Sequence, residues 1–191
     1  MTKARDLANG GFGLVLVKPS SVVGGTDNGK GTVSFSAQSS ITLRNIFSST
    51  YKNYKVVVNV ATTSTDMDLQ LRFGNSGSAD TTANSQWTYW IRNTAGSNLS
   101  YDGANQNYVF LASMETYTNT SLTNVAFDVY NPFVATETGG NVQISTVNTS
   151  GVVTMGAGGF VKGSSTSWAD LIILSSTGNF TGTISVYGYN N

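Results

Sequence analysis

The feature that most limits what this chain can become is a two-residue alternation that returns along almost its whole length. In TISVYGY (183–189), Ile184, Val186 and Gly188 fall on one side of an extended segment, with Ser185, Tyr187 and Tyr189 on the other. NVAFDVYNP (124–132) repeats the pattern, with Val125, Phe127 and Val129 opposite Asn124, Ala126, Asp128 and Tyr130. Comparable runs lie at 13–18, 32–36, 40–43, 54–62, 68–73, 86–92, 108–112, 141–147, 152–155 and 170–174. β-Branched and aromatic side chains dominate them, as a half-buried pleated surface favours. Between the runs, GGTDNGKG, GNSGSADTTANS and ETGGN supply the positive φ angles and side-chain-capped turns that reverse a chain. About twelve short strands punctuated in this way predict an all-β fold: an antiparallel two-sheet β-sandwich of jelly-roll type.

A chain of 191 residues fits one such domain, expected over 13–191. Residues 1–12 read as a separate arm. Thr2 can cap a short helix, residues 3–8 are mostly good helix formers, and Asn9-Gly10 is a natural stop. Two turns alone are marginal in water, so the arm needs something to lie against. The longest apolar runs, GLVLV and DLIIL, are strand-length and fall far short of the ~20 residues of a membrane span. DLANGGFG is too polar for the apolar stretch of a secretory signal. The expectation is a protein made in the cytoplasm, with no membrane insertion.

Several chemistries are excluded by composition. With no histidine and no cysteine, the chain has no Ser-His-Asp catalysis, no imidazole or thiolate metal site and no disulfide. Two glutamates, Glu115 and Glu137, and eight aspartates remain, in no recognisable catalytic pairing, so the protein is expected not to be an enzyme and to need no cofactor. A net charge of zero gives no electrostatic case for nucleic acid. GGTDNGKG has a phosphate loop's G-x-x-x-x-G-K spacing at Gly24, Gly29 and Lys30, but Gly31 stands where Ser or Thr should hold magnesium. A strand follows where a helix must begin, so a hairpin turn at Asn28-Gly29 explains the stretch.

Asp66 and Asp68 stand two apart and share one side of an extended segment, which makes them weak candidates for a calcium ligand pair. QWTYWIR places Trp87 and Tyr89 on one strand face and Trp90 on the other. These are candidates for a glycan platform or, more in keeping with a sandwich strand, for packing or an oligomer interface. Four N-x-[ST] triplets, beginning at Asn98, Asn119, Asn148 and Asn179, are what chance yields in a chain so rich in Asn, Ser and Thr.

The opening MTKARDLAN, with NIFSSTYKNYKVVVNV (45–60), LQLRFG (69–74), VYNPF (129–133) and LIILSSTGNFTGTISVYGYNN (171–191), resembles virion structural proteins of tailed bacteriophages, notably marine and cyanobacterial ones, of the tail-fibre-like class. The resemblance implies a virion component, synthesised in the host cytoplasm, displayed on the particle exterior and oligomeric, with a homotrimer favoured. Its partners would be copies of itself and other virion proteins. In such proteins the opening often leads into a fibrous shaft, whereas here residues 10–13 pass directly into a strand, so a capsid decoration or short tail appendage is expected. Thr2, Lys3, Arg5, Asp6 and Leu7 would then be the attachment residues. The alternative is a carbohydrate-binding module that recognises a host surface glycan.

Overall fold

A computed structural model describes residues 13–114, 123–147 and 151–189. The attachment arm, with Thr2, Lys3, Arg5, Asp6 and Leu7, lies outside the described residues, as does Glu115. Among the described residues the chain forms sixteen strands and no helix. These are β1 (Leu14–Val17), β2 (Ser21–Val23), β3 (Thr26–Asp27), β4 (Thr32–Gln38), β5 (Ser40–Arg44), β6 (Asn53–Thr63), β7 (Met67–Asn75) and β8 (Ser78–Ala79). They continue as β9 (Ser85–Asn93), β10 (Asn98–Gln106), β11 (Val109–Met114), β12 (Thr123–Tyr130), β13 (Thr138–Val147), β14 (Val153–Lys162), β15 (Asp170–Ser175) and β16 (Phe180–Tyr189).

The strands build two antiparallel sheets. One runs β10-β9-β14-β13-β12-β6-β16-β4-β3, with β1 also on β16, and the other runs β11-β7-β15-β5-β2, with β8 on β7. Within them, β4-β16-β6-β12 faces β5-β15-β7-β11, and the chain crosses between the sheets at every step of these eight strands except from β7 to β11. This is the jelly-roll path, so the expected two-sheet sandwich is what the chain forms. Two further hairpins are added to it. β9–β10 is inserted between β7 and β11, and β13–β14 between β12 and β15. Both join the larger sheet beyond β12, and they pair with each other through β14 and β9.

Alternation sets the core. Val56 of β6 lies between Phe127 of β12 and Val186 of β16, and the row continues through Val142 and Gly158 to Tyr89. Leu69, Leu71 and Phe73 of β7, with Leu171 and Ile173 of β15, are buried from the other sheet. Because side chains repeat with period two, a slip of one residue would turn any of these rows out to water, which fixes the register.

One buried carboxylate ties the corners together. Asp170, fully buried at the start of β15, accepts hydrogen bonds from the backbone N–H of Asn45, at 2.8 Å, and of Gly77. Both donors are in the left-handed region, at φ 49° and 82°, so the acid holds two tight turns that follow β5 and β7. An Asp170→Ala protein leaves two amides without that acceptor and is expected to lose about 3 kcal/mol of stability. Urea unfolding should show the midpoint falling, with Asp170→Asn intermediate.

Candidate functional site

The expected site residues on QWTYWIR fall on β9, in the added hairpins. Tyr89 and Ile91 face inward and are buried, and Trp87 lies on the same face, partly buried. The six-stranded sheet ends at β11, and Phe110 of that strand fills the space beneath β9. Its ring stacks on Trp87 at 5.3 Å between centroids, meets Tyr89 edge-on at 5.4 Å and stacks on Tyr101 of β10 at 6.0 Å. Aromatic contacts of this kind add to the burial of the rings themselves.

The backbone makes room for them. A Cβ at Gly103 would sit 2.4 Å from the Trp87 indole, and one at Gly158 would sit 2.3 Å from the Tyr89 ring. Trp87 and Tyr89 thus share one face of β9, and Trp90 takes the other. Tyr89 belongs to the core because β9 turns its odd residues inward, and Trp90, 54% exposed, is the one that faces solvent freely. Tyr89 Oη is buried without a hydrogen-bond partner, and burial pushes its phenol above the usual range.

The outer face of the added hairpins carries two shallow hollows. The first, about 570 Å³, lies over Gly139 and Gly159 and is flanked by Tyr130, Gln86, Thr88 and Asn141. Asn141 Nδ2 donates to Tyr130 Oη at 3.0 Å, which holds the amide against the ring. Its Oδ1 stands 3.8 Å from where a Cβ of Gly159 would be. Such a Cβ would make only ordinary contacts, as it would at Gly139, so packing does not demand glycine at either position. The second hollow, about 540 Å³, is bounded by Trp90, Met155, Ala126, Ala157 and Gln143. Beside them, Asp128 pairs with Lys55 at 3.3 Å and accepts a hydrogen bond from Tyr189 Oη. Burial, then the bond to Asp128 and that carboxylate's charge, push the Tyr189 phenol up.

Asp27 is engaged in local structure. In the turn of GGTDNGKG, Asp27 Oδ1 accepts the N–H groups of Gly29 and Gly31, each at 3.0 Å, and Asn28 N–H bonds Thr32 O. The amides that a phosphate would need are thus held by the chain's own carboxylate, in the expected hairpin. Asp66 lies in the turn before β7, exposed, and Asp68 within β7, half-buried. Among the described residues no group of three or more acidic side chains is placed to hold a metal ion.

Lys162, 2% exposed, was not singled out from the sequence, although its alternation with Phe160 directs it inward. Its ammonium meets Asp80 at 2.7 Å and Thr82 O at 2.9 Å. Burial alone would raise the Asp80 pKa, but hydrogen bonds from Lys162 and Thr82 hold it below the ordinary value.

No family model matches the chain, and neither does any curated protein. Among solved structures it is similar to the catalytic domain of an endo-1,3-beta-glucanase (laminarinase) from Thermotoga petrophila RKU-1. The identity is 10% over 88% of this chain and 81% of that one, with a TM-score of 0.25. It is also similar to the laminarinase from Rhodothermus marinus, at 8% identity over 94% of this chain and 79% of that one, with a TM-score of 0.16. Superpositions this loose carry no inference about activity.

Because the Tyr89 hydroxyl is buried without a partner, its removal should help the fold. Tyr89→Phe is expected to raise stability by about 1 kcal/mol, and Tyr89→Ala to lower it by about 3–5 kcal/mol. Thermal unfolding of both variants checks the pair.

Proposed function

We propose that the chain is a non-enzymatic structural protein of a bacteriophage particle. It is displayed on the exterior, as a capsid decoration or short tail-fibre-like appendage, and is attached through its N-terminal segment. The reading rests on the resemblance of MTKARDLAN and the later segments to virion proteins. The observation that carries it is how four of the eight acidic side chains among the described residues are used. Asp27 closes a turn, Asp80 neutralises a buried lysine, Asp128 bonds Lys55 and Tyr189, and Asp170 holds two backbone corners. They sit far apart in the chain, on β3, just after β8, on β12 and on β15. Hydrolysis of a glycosidic bond needs two carboxylates facing each other across a cleft, about 5–10 Å apart, and these four are committed to holding structure instead.

Attachment follows from the chemistry of the arm. Lys3, Arg5 and Asp6 offer charge-assisted hydrogen bonds to a docking partner. Deleting residues 2–9 is expected to leave the melting temperature of the sandwich nearly unchanged while removing the protein from assembled particles. Normal incorporation of the truncated protein would overturn the attachment role. A much lower melting temperature would instead assign the arm to the domain's own packing.

A second reading, recognition of a host surface glycan, is favoured by the hollow over Gly139 and Gly159. The Tyr130 ring, a fixed amide at Asn141 and a floor of bare backbone suit the flat C–H face and hydroxyls of a neutral sugar. Glycine within a strand often marks a close approach of this kind. Filling the floor with Gly159→Val is expected to abolish retardation in gels containing neutral polysaccharide and leave the melting temperature unchanged or higher. Equal retardation of the variant and the parent would remove this site from consideration.

A further inference from the structure

The longest strand that sequence patterning gives no sign of, β10, is the outermost strand of the larger sheet, and among the described residues it pairs with β9 alone. Its other edge presents a row of backbone N–H and C=O groups, which a further strand can satisfy. Proteins ordinarily blunt such edges by keeping them short or by placing lysine or proline on them. The opposite edge of this sheet follows that rule, since β3 has only 2 residues, and so does one edge of the smaller sheet, where β2 has 3. β10 has 9 residues, no lysine, arginine or proline, and a single charge, Asp102. Its regular pairing with β9 runs from Asn98 to Gly103 before a bulge interrupts it.

The side chains add a second, independent observation. Leu99 and Tyr101 project on the inner face, opposite Ile91 and Tyr89, at the margin of the six-stranded sheet, whose Phe110 covers one side of Tyr101. They are 46% and 40% exposed and rim a cleft of about 200 Å³. An apolar pair on an open inner face, beside an unprotected edge, calls for a neighbour that brings both a strand and apolar side chains.

We propose that this neighbour is a second copy of the chain, whose β10 pairs antiparallel with the first about a two-fold axis at Ser100. That register sets Leu99 opposite Tyr101 of the other copy, twice, so the uncovered inner face becomes one apolar strip. It sets Asn98 opposite Asp102, where the amide donates to the carboxylate. Arg92, which stands beside Asn98 on β9 and has no ion pair among the described residues, lies one strand further along the same row. A slide of four residues, which moves the axis to Asp102, would instead place the two carboxylates against each other. The contact is isologous and closes at two copies, so it differs from the three-fold assembly implied by the resemblance. It does not rest on the assignment to a phage particle.

The absence of cysteine makes the test clean, because a single introduced thiol reports alone. Residues facing each other across antiparallel strands have Cα atoms about 4.5–5.5 Å apart, within disulfide range. Ser100→Cys is therefore expected to form a covalent dimer under mild oxidation of the full-length protein, far faster than Ser36→Cys, an exposed position on β4. Light scattering of the unmodified protein should reach the mass of a dimer as concentration rises. Leu99→Lys, at a half-exposed position, should keep the melting behaviour of the monomer while raising the Kd for dimerisation about tenfold or more. A monomer at all concentrations, a trimer, or equal cross-linking at positions 36 and 100 overturns the proposal.

Discussion

A sheet of ten strands facing one of six must leave part of its inner surface without a covering layer, and burial of apolar surface is what holds such a sandwich together. Here the shortfall lies under β9 and β10. Phe110, from the last strand of the smaller sheet, meets it by receiving Trp87, Tyr89 and Tyr101 around one ring. Gly103 and Gly158 remove the Cβ atoms that would keep those rings apart. The eight-stranded jelly roll can thus carry two extra hairpins on one flank. Both outer-face hollows and the open edge strand belong to that flank.

The sequence declares its strands where they bury something. β6, β12 and β16 alternate cleanly because each has one face on the core, and all three were legible to within a few residues. β10 was not. Asn98, Ser100, Asp102 and Asn105 read as a loop, since the strand buries almost nothing and owes its form to the hydrogen bonds of β9. β14 was read only over 152–155 because GAGGF looks like a turn. Its glycines are strand residues, and at Gly158 the Tyr89 ring takes the place of a side chain. Alternation in QWTYWIR separates Trp87 and Tyr89 from Trp90, but how deeply each ring is buried depends on β9 lying beyond the last strand of the other sheet. Neighbouring residues cannot report that.

The reading as a structural protein and the reading as a glycan binder share a physical basis. The glycan reading uses a surface that the added hairpins create, the structural reading uses the N-terminal segment, and both leave the compact part of the sandwich as a platform. Three of the buried polar groups are closed upon the chain itself, although Tyr89 Oη and a few others are left without partners. Lys162 with Asp80, Asp170 with two amides, and Tyr54 with both backbone groups of Ser48 are each satisfied by nearby parts of the chain. Where buried polar groups are satisfied in this way they favour one rigid arrangement. Rigidity suits a component that works through shape and contact.

β16 is shared along one edge by two strands, β4 over its first part and β1 over Val186–Tyr189. The pairing is antiparallel, with Leu14 opposite Tyr189 and Val17 opposite Val186. Tension from an anchored arm would therefore enter the domain at Leu14 and pass to β16, which lies between other strands within the sheet. A pull along β1 loads its four residue pairs together, in shear, whereas a sideways pull peels them one after another from Leu14. How firmly such a domain withstands drag is then a matter of direction: the same few hydrogen bonds are tough along the strand and weak across it.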